Sequence, residues 1–243
     1  MTKIYEALEQ AAQDQGGESL ASTVPSSGSS SLGSKSIGME EEMLGLYQNV
    51  CSLLGNGTGM TVQFISARDG EGVPQVAREF VRTAVQKLNK TGLLLDANPG
   101  GQQAKALGVT LSTGWEDVIG TDKPIREALF QIGNSGLFIS QASGRGTVSS
   151  AFYDSPRVAR LLEELKGEFD VVAIDAPSGT VSAGGLALTP KVDGVIIVIE
   201  AEETRWQVVQ SIKERIAKRG GKVLGVVLNK RRHYIPHWIY KRL

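Results

Sequence analysis

Apolar positions along this chain fall into two alternating rhythms. Continuous apolar runs at Thr61–Ser66, Leu93–Asp96, Leu137–Ser140, Asp170–Asp175, Val195–Glu200 and Val223–Asn229 read as strands buried on both faces. Between them the spacing turns helical. Gln75–Leu88 repeats Val76, Phe80, Ala84 and Leu88 on one face, and Thr204–Arg219 does the same with Val208, Ile212 and Ile216. Arg157–Lys166 is a third helix, with Ser155 placed as its N-cap and Pro156 at its first position. Ahead of all these, Met43, Leu46, Tyr47, Val50, Leu53 and Leu54 mark a helix that settles from Glu40 and stops at Gly55. Such alternation predicts an α/β fold, a doubly wound, mostly parallel sheet with helices on both faces.

The first 38 residues follow a different pattern. Ile4, Leu8 and Ala11 give residues 1–15 the spacing of a short amphipathic helix. Residues 16–38 are rich in Ser and Gly and too poor in apolar side chains to offset the entropy of ordering, so they read as a flexible linker. The α/β domain is then residues 39–243, ending in a basic, aromatic tail. The leading helix is either a frayed terminus or a docking peptide.

With 41% apolar residues the chain can build a substantial core, and 26 basic side chains balance 26 acidic ones, so global charge points to neither nucleic acid nor an acidic substrate. The distribution is uneven. Residues 1–60 hold Glu6, Glu9, Asp14, Glu18, Glu40, Glu41 and Glu42 against Lys3 and Lys35, whereas residues 213–243 are rich in Lys and Arg with Glu214 as their single acid. A basic end of that kind points to an anionic surface or partner. Cys51 is the only cysteine, which excludes an internal disulfide and suits a reducing compartment. No apolar run is long enough to span a bilayer, and the start of the chain lacks the charged and apolar regions of a signal peptide. A cytoplasmic protein is expected.

In a doubly wound sheet, ligands bind beyond the carboxyl ends of the strands. The loop after the first strand, Ser66–Gln75 (SARDGEGVPQ), carries Gly70, Glu71 and Gly72 where a phosphate-binding loop would wrap its backbone. A working P-loop closes with Lys and Ser/Thr, for the terminal phosphates and for magnesium. Here those positions are Val73 and Pro74, followed by Gln75. Valine offers no charge; proline offers neither hydroxyl nor N–H, though it starts a helix well. Each charge-assisted hydrogen bond lost removes roughly 1.5–3 kcal/mol, so triphosphate binding should be weaker by orders of magnitude.

With those residues in view, the chain resembles the bacterial tyrosine kinases of capsule and exopolysaccharide synthesis, relatives of the MinD/ParA P-loop proteins. The resemblance rests on KIYEAL (Lys3–Leu8), EEMLGLYQNV, DGEG, LLLDA, GWEDV, DSPR, VDGVIIVIEAEETRW and NKRRHYIPHWIYKRL (Asn229–Leu243). It covers nearly the whole chain apart from the linker, and the two terminal motifs point to the exosortase-associated branch. The resemblance implies that Asp96 belongs to the second acidic motif, Asp175 to the Walker B strand, and Asn229 to the position of an adenine-contacting asparagine. It also exposes departures. The second aspartate of the acidic motif is Asn98, and the two arginines of the oligomerising helix become Leu44 and Tyr47. The tyrosine-rich tail is reduced to Tyr234 and Tyr240.

Gly70, Glu71, Gly72, Asp96, Asp175 and Asn229 therefore outline a vestigial nucleotide site, with no catalytic residue and no metal ligand assigned. Asp96 and Asp175 form half of a metal site or, on the reading favoured here, cap turns and hold loop geometry. His233 and His237, separated by Pro236, form no metal pair, and Trp115 and Trp206 are expected to pack rather than stack ligands. The resemblance implies a non-catalytic subunit in exopolysaccharide synthesis or export. Its partner would be the cytoplasmic part of a membrane-anchored chain-length regulator, contacted through Ile4, Leu8, Tyr234, Trp238 and Tyr240. Membrane contact would be weak or indirect, at the inner face of the cell membrane, and nucleic acid is not expected. Self-association into a homo-oligomer stays open. An active autokinase or ATPase, recruiting Lys105 and using ATP and magnesium, is one alternative. A MinD-like positioning factor is another.

Overall fold

The computed structural model describes residues 32–55, 57, 59–99, 101–119, 121, 123–143, 150–179 and 183–231. Ile4, Leu8, His233, Tyr234, His237, Trp238 and Tyr240 lie outside them. The described residues begin with α1 (Leu32–Leu54), followed by β1 (Met60–Ser66), α2 (Val73–Leu88) and β2 (Gly92–Asp96). Two short helices follow, α3 (Gln102–Ala106) and α4 (Trp115–Ile119), then a 3-10 turn at Ile125–Ala128. β3 (Phe130–Gln131) and β4 (Leu137–Gln141) lead to α5 (Ser150–Asp154), α6 (Pro156–Glu168) and β5 (Val171–Asp175). The chain then passes through α7 (Ala183–Leu188), β6 (Gly194–Glu200), α8 (Trp206–Lys218) and β7 (Val223–Asn229).

The strands form one seven-stranded sheet in the order β3-β4-β2-β5-β1-β6-β7. Every pairing is parallel except β3 with β4. Each of the six strands read from the sequence is present. β3, two residues long, has no period for sequence to show. Side chains alternate between faces as the pleat requires. On one face Val62, Phe64, Leu94, Ala173 and Ile196 pack under α1 and α2. On the other, Leu93, Leu95, Val172 and Ile174 pack under α4 and α6, and Ile65, Val195, Ile197 and Ile199 pack under α8.

Three local details differ from the pattern-based reading. α1 begins at Leu32, inside the stretch expected as linker, rather than near Glu40; adding turns to a helix already anchored by packing costs far less than nucleating one. Ser155 has the backbone of an N-cap, yet its side chain makes no cap bond and its Oγ is buried without a partner among the described residues. Trp206, expected to pack, stands 65% exposed at the first position of α8. Trp115 does pack: it is buried, and its indole Nε1 donates to the Asp96 carbonyl at 3.0 Å.

Candidate functional site

The carboxyl ends of β1, β2, β5, β6 and β7 bring the loops of interest together. After β1 the chain wraps through Gly70 (φ 85°) and Gly72 (φ 94°), both in the left-handed region that glycine enters without strain. Gly72 is the N-cap of α2 and accepts the amides of Gln75 and Val76. The glycines thus do in the backbone what the motif suggested.

Glu71, between them, is buried, and its carboxylate turns away from solvent to tie the loop down. Its Oε2 accepts the Arg68 amide at 2.7 Å. Its Oε1 accepts the Glu200 amide at 3.4 Å, at the end of β6, and the Thr204 hydroxyl just beyond it. Asn229, at the end of β7, donates its side-chain amide to the Glu71 carbonyl at 3.0 Å. Asn229 is therefore buried as a clamp on the loop backbone. On the other flank Ser178 Oγ donates to Asp69 Oδ1 at 2.6 Å, joining the loop to the segment after β5.

Asp96 and Asp175 are register partners at the ends of β2 and β5, and both are fully buried. Asp96 accepts the amide of Asn98 at 2.9 Å through Oδ1 and that of Gln103 at 3.1 Å through Oδ2. It caps the turn into α3. Asn98 Nδ2 donates to the Asp175 carbonyl at 3.2 Å, so it joins β2 to β5. Burial, and then the neighbouring Asp96 carboxylate, pushes Asp175 up to about 8. Burial raises Asp96 too, opposed by the Asn98 and Gln103 amides. Burial and the neighbouring carboxylate favour the neutral form of Asp175, opposed by the Gln103 amide and the Arg78 guanidinium. Asp96, with two backbone amide donors, is the better anion of the pair.

Gln103 is the residue that sequence reading missed. It is wholly buried, and its Nε2 donates at 2.6 Å to the Pro74 carbonyl and at 2.6 Å to Asp175 Oδ2. Its Oε1 accepts Arg78 Nη1 at 2.8 Å. The sequence shows only two glutamines in a short polar stretch, and the phase of α3 decides which one turns inward. Gln102 is exposed. Lys105, singled out as a substitute for the P-loop lysine, is exposed on α3 and borders a shallow groove with Thr110 and Gln141.

The donors for a magnesium triphosphate are incomplete on this scaffold. Val73 supplies no ammonium and Pro74 neither hydroxyl nor N–H, while Asp175 is held by Gln103 and Asn98 is turned to a carbonyl. Among the described residues, no three His, Cys, Asp or Glu side chains converge as a metal site would need. The residues present do not fit that group.

Strand order and the placing of the strand-end loops give an α/β fold of the MinD/ParA type. The chain superposes on the septum site-determining protein MinD complexed with Mg-ADP from Pyrococcus horikoshii at TM-score 0.59, 18% identity, covering 76% of each chain. With the kinase domain of Escherichia coli tyrosine kinase ETK the TM-score is 0.71 at 16% identity, over 81% of this chain and 78% of that one. In sequence, tyrosine-protein kinase CpsD of Streptococcus pneumoniae serotype 4 is 25% identical over 173 residues, 70% of this chain and 75% of CpsD. Succinoglycan biosynthesis transport protein ExoP of Rhizobium meliloti is 26% identical over 189 residues, 73% of this chain and 23% of ExoP. No protein-family model matches the chain. The chain is thus similar in sequence to bacterial tyrosine kinases of capsule and exopolysaccharide synthesis and shares the MinD/ParA-like fold of their kinase domains.

Proposed function

We propose that the chain is a non-catalytic member of this family. It acts as a cytoplasmic subunit that regulates exopolysaccharide synthesis or export from the inner face of the cell membrane. The observation that carries this reading is the state of the strand ends: Val73 and Pro74 stand where the lysine and the hydroxyl belong, and Gln103 occupies the Asp175 carboxylate. The pathway is supported by the succinoglycan role in the name of ExoP. The partner is the cytoplasmic part of a membrane-anchored chain-length regulator, held by a surface that includes Ile4, Leu8, Tyr234, Trp238 and Tyr240. Among the described residues no helix is long and apolar enough to cross a membrane, which fits attachment through a partner.

Two measurements test the reading. Calorimetry with magnesium–ATP gives no binding at micromolar protein, and the chain made in a host without other tyrosine kinases carries no phosphotyrosine. Phosphotyrosine that disappears in Asp175→Asn sinks the proposal.

A further inference from the structure

In a P-loop protein the magnesium ion links two points: the Ser/Thr after the P-loop lysine, and the Walker B aspartate. Those points here are Pro74 and Asp175. A single group joins them, the Gln103 side-chain amide, at 2.6 Å from the Pro74 carbonyl and 2.6 Å from Asp175 Oδ2. Its backbone N–H reaches Asp96 Oδ2 at 3.1 Å, so the residue touches both aspartates of the two acidic motifs.

We infer that Gln103 is an internal replacement for the metal ion, an amide that closes the loops after β1, β2 and β5 onto one another with no ligand bound. This rests on the non-catalytic reading above.

The chemistry is consistent at each atom. A primary amide nitrogen has two N–H donors and no acceptor. Facing a carbonyl and a carboxyl oxygen, it offers positive charge density in two directions, as a cation would. The amide orientation follows from its neighbours. Turned over, Oε1 would oppose two acceptors and Nε2 would oppose the Arg78 guanidinium. Arg78 belongs to α2, so its bond to Gln103 Oε1 adds the helix behind the P-loop to the same clamp. Pro74 contributes as well. Without an N–H or hydroxyl it competes for neither Asp175 nor a phosphate, and its carbonyl is left as the acceptor. The exchange at position 74 and the inward turn of Gln103 are thus two halves of one substitution of protein for ion.

The test uses the full chain without nucleotide. Wild type, Gln103→Glu and Gln103→Leu are melted in chelator and in millimolar magnesium or manganese. Wild type melts at the same temperature in all three. Gln103→Glu keeps the shape but exchanges two donors for a third carboxylate. It melts lower in chelator, by on the order of 5–10 °C, and recovers most of that with the divalent cation. Gln103→Leu melts lower and does not respond to the cation. If Gln103→Glu does not fold in chelator, its refolding yield with and without manganese takes the place of the melting temperature. A wild type that the cation stabilises overturns the inference. So does a Gln103→Glu variant that melts as wild type in chelator, or one that no cation restores. Magnesium–ATP binding by wild type, measured separately, defeats the non-catalytic reading without altering how these apo melts are judged.

Discussion

Pro74 supplies the first turn of α2 with a preset φ, and its carbonyl accepts Gln103 at 2.6 Å. Asp175, fully buried, is bound by the same amide. Asp175 Oδ1 has no hydrogen-bond partner among the described residues. The folded value of about 8 stands above the ordinary 3.8. Stability from this group is therefore full below about pH 4 and is lost as pH rises towards 8. The slope is at most about 1.4 kcal/mol per pH unit. Asp175→Asn cannot ionise, so the difference in melting temperature, variant minus wild type, should grow steadily from pH 5 to pH 8. A difference that stays constant over that range would show Asp175 ionised in the folded chain.

Helix starts obey local chemistry only in part. Pro156 opens α6 as its residue type favours, and Ser155 takes extended backbone angles, yet the Ser155 hydroxyl is buried without a partner. A working Ser cap is worth about 1 kcal/mol; a buried hydroxyl without a bond costs instead. Ser155→Ala should leave the urea midpoint unchanged or move it upward. A loss near 1 kcal/mol would mean that the hydroxyl is bonded in solution. Tyr47 makes a related point for α1. It faces the core, its ring centroid 5.4 Å from that of Phe80. That position serves packing here. α8 shows the converse, since Val209, Ile212 and Ile216 are buried while Trp206 at its start is left outside.

For the whole molecule, β7 forms one edge of the sheet. Val226 and Leu228 of β7, 40% and 51% exposed, and Leu53 of α1, 52% exposed, put large apolar side chains at the surface at that side. Among the described residues, the three apolar clusters draw on Met43 through Val227. Isolated helices as short as residues 1–15 are marginal in water, so Ile4 and Leu8 are expected to serve a partner. Deleting residues 1–31 should shift the melting temperature by less than about 2 °C and weaken recovery of the membrane partner from solubilised membranes. A large fall in melting temperature would place that segment on its own domain.

Six strands, four of the helices and the position of the P-loop were legible in the sequence, because a two-sided sheet demands continuous apolar runs and a covering helix demands one apolar stripe. Gly70 and Gly72 were legible for the same kind of reason: a sharp wrap needs positive φ, and glycine supplies it. The loss at Val73 and Pro74 could also be read directly, since residue type alone decides which donors exist. The partnering of the remaining side chains could not. Glu71 reaches Glu200 and Thr204, Asn229 reaches Glu71, and Gln103 reaches Pro74 and Asp175, across separations of 129, 133, 158, 29 and 72 residues. Strand order brings those ends together, and helix phase chooses Gln103 over Gln102 to point inward. Composition and local period determined the scaffold and what its loop lacks; only the tertiary fold decided what fills the vacated positions, because hydrogen-bond partners so far apart in sequence are set by topology.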